Sequence, residues 1–258
     1  MKNENNKIQV PNVDREYTRR LADDLLSSQQ ADLILLNAGA GYGKTQALAN
    51  YVRQFTGKSA WYSLSATDND LMSFIQNFTK SIQYALEISE PDFNVSLPLL
   101  ENIDIVIEQL IVWLDVHIDY IHIIFDDFQE ISNPDIFNLL DILLETMEQK
   151  IRLFIVQKRS LPAFFDKYIK NGRALSLGME ELRFKPAEIS AFLENMGEHN
   201  EQWAKLIYDC TEGWPVGVAQ IMQQLRQHKK DATIETIRDI CDRLEVSDYF
   251  MTKVYKML

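Results

Sequence analysis

Leu33-Ile34-Leu35-Leu36-Asn37-Ala38-Gly39-Ala40-Gly41-Tyr42-Gly43-Lys44-Thr45 is the stretch whose reading decides the fold. Four apolar residues without helical spacing predict a buried strand, a glycine-rich turn follows, and Gln46 to Val52 predicts a helix. Strand, turn and helix in that order are the context of a phosphate-binding loop. Glycines let backbone N–H groups close around phosphate oxygens with no Cβ in the way, and the helix N-terminus adds partial positive charge behind them. Gly39, Ala40, Gly41, Tyr42, Gly43 and Gln46 are therefore candidate nucleotide contacts. Lys44 is placed to reach the β- and γ-phosphates, and Thr45 to hold Mg²⁺ through its hydroxyl. One position departs from the pattern G-x-x-x-x-G-K-[ST]: Ala38 stands at its first glycine. An ordinary glycine-rich turn is thus the competing reading, and a second stretch has to decide.

Ile121-His122-Ile123-Ile124-Phe125-Asp126-Asp127 is that second stretch. A continuous β-branched and aromatic run ending in two carboxylates sets acids at the C-terminal edge of a buried strand, where an α/β sheet keeps its ligands. Alone, the pair reads as well for a strand cap. With a phosphate loop upstream, the two features make a nucleotide-and-magnesium site. Asp126 is then a metal ligand beside Thr45, and Asp127 the group that polarises the attacking water, with Lys44 stabilising charge on the transferred phosphoryl group.

The chain has 258 residues and a formal net charge of −12. That length predicts one α/β domain with a smaller helical one. The negative charge argues against this stretch gripping a nucleic-acid backbone, since that affinity comes largely from Lys and Arg. No apolar run reaches the ~18 residues a bilayer span requires, and the polar start Met1 to Lys7 is unlike a signal peptide. A soluble cytoplasmic protein is expected, with no membrane partner. Cys210 and Cys241 lack C-x-x-C spacing, so both read as reduced and structural.

In chain order, residues 1–7 read as disordered, and a helix follows with Leu21, Leu25 and Leu26 on one face. Ser59 to Leu64 predicts a second strand. Asp68-Asn69-Asp70 supplies N-cap chemistry for a helix carrying Leu71, Phe74, Ile75, Phe78, Ile82 and Leu86. Pro91 and Pro98 bracket a loop, and Ile103 to His117 is a further helix. Pro134 to Glu148 predicts a helix, Ile151 to Val156 a strand and Ala174 to Leu177 a last strand. Gln157-Lys158-Arg159 ends the fourth strand at the ligand edge, making Arg159 a candidate reader of the γ-phosphate; a solvated strand end is the plainer alternative. Beyond Glu180 the pattern is helical: Pro186 to Met196, Trp203 to Cys210 and Val216 to Leu225, then a last helix bearing Phe250, Val254 and Leu258. His117, His122 and His199 show no partner pattern and read as structural, and Trp61 and Trp113 as core. The last helix has no stop signal, so the chain reads as a piece of a longer protein.

Together these residues resemble the nucleotide-binding module of the STAND class of signalling ATPases, in particular bacterial transcriptional activators of the MalT, LuxR-related type. Ala38 to Thr45 resembles their Walker A motif, where alanine in first place is usual, and Phe125-Asp126-Asp127-Phe128 their Walker B. Trp61-Tyr62-Ser63-Leu64 with Asp68-Asn69-Asp70, Leu182-Arg183-Phe184, and Gly213-Trp214-Pro215-Val216-Gly217 resemble further motifs of the class. Two departures stand out: Lys158 where a serine commonly precedes the sensor arginine, and Phe128-Gln129 where Tyr-His is common.

The resemblance implies a P-loop NTPase three-layer α/β sandwich over 1–180 with a parallel sheet of order 5-1-4-3-2. A helical lid would cover 181–230, and the start of a winged-helix region 231–258. It implies Val13 and Arg15 against the adenine and Pro215 closing over the nucleotide from the lid. Arg183 would either link lid to core or form a surface ion pair. It further implies ATP or ADP with Mg²⁺, slow hydrolysis, lid opening and self-association in the ATP state, with DNA and inducer bound by domains outside this stretch. The rivals are a continuously cycling AAA+-like remodeller or loader and an ADP-stabilised scaffold that never hydrolyses.

Overall fold

The computed structural model describes residues 7–12, 31–88, 103–198, 200–228 and 232–246. The expected helix bearing Leu21 to Leu26, the adenine contacts Val13 and Arg15, the loop at Pro91 and Pro98, and the helix bearing Phe250 to Leu258 lie outside these residues.

Five strands, β1 (Leu33–Asn37), β2 (Lys58–Ser63), β3 (Ile121–Asp126), β4 (Ile151–Gln157) and β5 (Ala174–Leu177), form one sheet in the order β2-β3-β4-β1-β5, every pair parallel. This is the expected order 5-1-4-3-2 read from the other side. β1, β3 and β4 are continuous apolar runs because helices cover both sheet faces. Leu33, Leu35, Ile123, Phe125, Leu153 and Ile155 face one helical layer. That layer is made of α2 (Leu71–Leu86), α3 (Ile103–His117) and α4 (Pro134–Thr146). Ile34, Leu36, Ile124, Phe154 and Val156 face α1 (Lys44–Gln54) on the other side. Period-two alternation thus sorts neighbouring residues into two separate cores, and the result is a three-layer sandwich. Trp61 belongs to one core and Trp113 to the other. His122 is buried with its ring 3.8 Å from that of Phe55, and burial pushes its pKa down to about 4, so it sits neutral in an aromatic cluster.

Register sets the sheet's ligand edge. Asn37 pairs with Gln157, Leu36 with Leu177 and Ser63 with Asp126, so all five strands end together on one side. The glycine-rich turn and the acidic pair therefore leave the same edge.

The D-N-D stretch divides its labour in a way the pattern does not reveal. Asp70 caps α2, accepting from Ser73 N–H at 2.9 Å. Asn69 instead accepts from the N–H groups of Ser132 and Asn133. Asp68 is fully buried and paired with Lys7 at 2.8 Å. Lys7, expected in a disordered tail, also accepts Ser63 N–H on its carbonyl.

After β4 a short helix, α5 (Asp166–Lys170), leads into β5. From there the described chain is helical: α6 (Met179–Leu182), α7 (Pro186–Asn195), α8 (Glu201–Thr211), α9 (Pro215–His228) and α10 (Ile234–Val246). Phe184, Ile189, Trp203, Ile207, Val218 and Ile221 form their own core. Of the stretch beyond 231 the structure describes α10, whose Ile237, Ile240 and Cys241 join that same cluster. No helix among the described residues is long and apolar enough to cross a membrane.

Candidate nucleotide-binding site

The loop between β1 and α1 makes two left-handed steps, at Gly41 (φ 79°) and Gly43 (φ 69°), conformations that cost an L side chain about 1–2 kcal/mol. Gly43 is also the N-cap of α1, which has no side-chain cap and no acid in its first turn. A helix N-terminus without a side-chain cap or an acid in its first turn suits an anion site.

Lys44 is 5% exposed, and its Nζ donates to the loop carbonyls of Ala38 at 2.5 Å and Gly39 at 2.7 Å. Burial first, and the nearby Lys158 charge second, push its pKa down to about 8, against Asp126 and Asp127, which raise it. An ammonium held this way gains from any anion that enters the loop. Thr45 Oγ1 lies 3.1 Å from each carboxylate oxygen of Asp126. Asp126 is 5% exposed, and burial together with the Asp127 charge pushes its carboxyl up to about 6. A hydroxyl and a carboxylate are the hard oxygen donors that Mg²⁺ takes, and a divalent cation relieves the buried charge. Among the described residues no three His, Cys, Asp or Glu cluster as a metal site. The set fits a cation held by two protein oxygens and by phosphates.

Asp127 has a left-handed backbone, φ 60°, a conformation in which Asp is enriched. Its Oδ1 receives Gln129 Nε2 at 3.0 Å and lies 2.7 Å from Lys158 Nζ. Both partners are residues at which the sequence departs from the motifs it resembles. Nothing local in the chain announces that they meet.

The helical region reaches the loop through its G-W-P turn. Trp214 Nε1 donates to Ala40 O at 3.2 Å, and Val216 N–H to Gly41 O at 3.2 Å. The indole lies so close that a Cβ on Gly41 would stand 2.7 Å from it. Sequence reasoning singled out the motif but not this contact of Trp214. Between the loop, the end of β4 and the end of α8 opens a cleft of about 870 Å³, bordered by Gly39, Ala40, Tyr42, Arg159 and Trp214. A smaller cavity of about 80 Å³ brings together Gly41, Gly43, Gln46 and Pro215. Arg183 pairs with Glu180 at 2.8 Å, and its charge is felt at the Tyr42 hydroxyl.

No family model matches the chain. It is similar to the HTH-type transcriptional regulator MalT of Yersinia pestis, with 27% identity over 241 residues that cover 91% of this chain and 26% of that protein. MalT of Vibrio parahaemolyticus is 20% identical over 245 residues, 93% of this chain and 27% of that one. The chain is MalT-like in sequence over nearly its whole length and has a P-loop NTPase fold. It spans about a quarter of the length of the curated relatives it matches. In three dimensions the MalT-like module is similar to a Walker-type ATPase of Pyrococcus abyssi, with a TM-score of 0.57 and 13% identity, covering 94% of this chain and 77% of that one. That likeness concerns the fold alone.

Proposed function

We propose that this MalT-like module is the ATP/ADP-binding switch of a transcriptional regulator, with slow Mg²⁺-dependent hydrolysis. The observation that carries the reading is the contact of Thr45 with Asp126 at the mouth of the glycine-rich loop. Thr45, opening α1 after β1, and Asp126, ending β3, come from strands with β4 between them, yet their side chains meet, which supports a site for a triphosphate and its metal there. Loop N–H groups and Lys44 bind the phosphates, with Gln46 at the start of α1 and Arg159 on the rim of the cleft. Thr45 and Asp126 hold the metal, which supplies charge neutralisation to the β- and γ-phosphates when bound. Val13 and Arg15 contribute to the adenine side, and Pro215 closes from the lid.

Asp127 orients a water so that its oxygen bonds to the γ-phosphorus as the bond from that phosphorus to the β–γ bridging oxygen breaks; the water's proton passes to a phosphate oxygen or to solvent, and ADP and inorganic phosphate leave. Its carboxylate is one methylene shorter than the glutamate of rapid P-loop ATPases, so positioning is poorer and hydrolysis slow. The Trp214 and Val216 bonds to loop carbonyls give the lid a direct grip on the loop. A change in loop occupancy therefore biases an equilibrium between lid positions. ADP favours the closed form and ATP an open, self-associating one. DNA and inducer recognition belong to other parts of such regulators, in keeping with a net charge of −12 here.

The test is mass spectrometry of the nucleotide that co-purifies, followed by single-turnover hydrolysis and sedimentation with ATP or ADP. An adenine nucleotide and a turnover far below the enzyme median of ~10 s⁻¹ are expected. Turnover at that median without a partner points to the cycling ATPase, and none at all to the scaffold.

The pH dependence has a defined sign. Asp126 is raised from 3.8 to about 6 and must be anionic to take the cation, so Mg²⁺-ATP affinity falls as pH drops through about 6. Lys44 is lowered from 10.5 to about 8 and must be cationic to bind phosphate, so affinity also falls as pH rises above about 8. Calorimetric titration from pH 5 to 9 should trace a maximum between these limits. A flat profile would remove both groups from the site.

A further inference from the structure

Two residues at which the sequence departs from the motifs it resembles converge on one carboxylate oxygen. Lys158 Nζ stands 2.7 Å from Asp127 Oδ1, and Gln129 Nε2 donates to that same atom at 3.0 Å. Gln129 Oε1 in turn accepts the backbone N–H of Lys158 at 3.2 Å, so Gln129 clamps both partners. We propose that Lys158, rather than Arg159, reads the γ-phosphate, and that it does so by exchanging Asp127 for the phosphate. The inference rests on the P-loop reading above.

Three observations support it. Lys158 borders the same cleft as Ala38, Gly39 and Ala40, and its charge is felt at both Lys44 and Asp126. It therefore lies within electrostatic reach of the end of a bound triphosphate. The Lys158 and Asp127 side chains are 41% and 31% exposed, and partly exposed pairs of this kind hold weakly. A phosphate, with more charge and more acceptor oxygens, competes successfully for an ammonium on a flexible four-carbon stem. For Arg159, it is the backbone carbonyl that the site ties down, through Gln157 Nε2 at 2.9 Å.

One ammonium serving two anions in turn makes a switch. With the diphosphate, Lys158 stays on Asp127, which is then neutralised and a poor polariser of water. With the triphosphate, Lys158 moves to the γ-phosphate, and Gln129 keeps the released Asp127 carboxylate aimed. Reading the nucleotide and permitting its hydrolysis thus become one event.

The test is the ratio of Mg²⁺-ATP to Mg²⁺-ADP affinity, measured by titration calorimetry on the whole chain and on Lys158→Ala, Lys158→Arg and Arg159→Ala. Lys158→Ala should keep its ADP affinity and lose about tenfold in the ratio, the value of one charge-assisted hydrogen bond. Lys158→Arg should recover part of the loss, and Arg159→Ala should lose less of the ratio than Lys158→Ala does. An unchanged ratio in Lys158→Ala, or an equal loss in Arg159→Ala, overturns the assignment while leaving the P-loop reading intact. If the parent binds neither nucleotide, or if Lys44→Ala binds both as well as the parent, the P-loop reading falls and takes this inference with it.

Discussion

Replacing Lys44 by alanine raises the dissociation constant for ATP by about 100-fold or more and strips the protein of any nucleotide it carries through purification. The ammonium is the one buried cation of the glycine-rich turn among the described residues, and it already points into the loop, at the carbonyls of Ala38 and Gly39. A phosphate that enters takes over these donors. Roughly two charge-assisted hydrogen bonds at ~1.5–3 kcal/mol each account for the expected factor. The fold itself should suffer little. Burial disfavours the charged amine, as its lowered pKa of about 8 records, so removing it also removes a desolvation cost. Equilibrium binding of a fluorescent ATP analogue, with urea unfolding as control, checks both halves. Unchanged affinity in a folded variant would mean that the turn is not a phosphate loop.

Gly213→Ala has the largest expected effect on stability. This glycine sits at φ 74°, and an added Cβ would stand 2.2 Å from the carbonyl oxygen of Phe184. Neither backbone can yield easily, because Phe184 N–H donates to Gly213 O at 2.8 Å and the Phe184 ring is buried in the core of the helical region. Left-handed strain of about 1–2 kcal/mol adds to the clash, for a loss of about 3 kcal/mol or more. Gly172→Ala is the internal control: its φ of 77° is almost the same, yet nothing lies within 4 Å of its added Cβ, so it reports strain alone. Hydrogen exchange should show α7, α8 and α9 losing protection ahead of the sheet, since the helical region has its own core. Equal losses in the two variants would show that the approach to Phe184 is unimportant.

How much was legible follows from how local each signal is. The run Leu33 to Leu36 and the acid-tipped run Ile121 to Asp126 suit a doubly covered sheet, and the observed strands follow them, the first running one residue further to Asn37. The i, i+3, i+4 spacing from Leu71 to Ile82 is read correctly as one buried face of a helix. The helix expected from Pro134 to Glu148 ends at Thr146, where the chain turns toward β4 through Gln149 at φ 70°. Strand order came from family resemblance rather than from any pattern in the residues. The partners that complete the site were not legible at all. Asp68 finds Lys7 across 61 positions, Lys158 finds Gln129 across 29, and Trp214 finds Ala40 across 174. No periodicity links such pairs.

By itself, the chain's order of residues determined which segments become strands and helices, that a glycine-rich turn precedes a helix, and that two acids end a strand. Those features depend on backbone sterics and burial patterns within a few residues of one another. Only the tertiary structure decided that turn and acids share an edge, that Asp126 touches Thr45, and that Lys158 and Gln129 grip Asp127. These outcomes depend on parallel register across five strands and on a separate helical core seated against the loop. Register and docking are set by how whole faces pack, and a shift of one residue in β3 would turn Asp126 to the other face of the sheet.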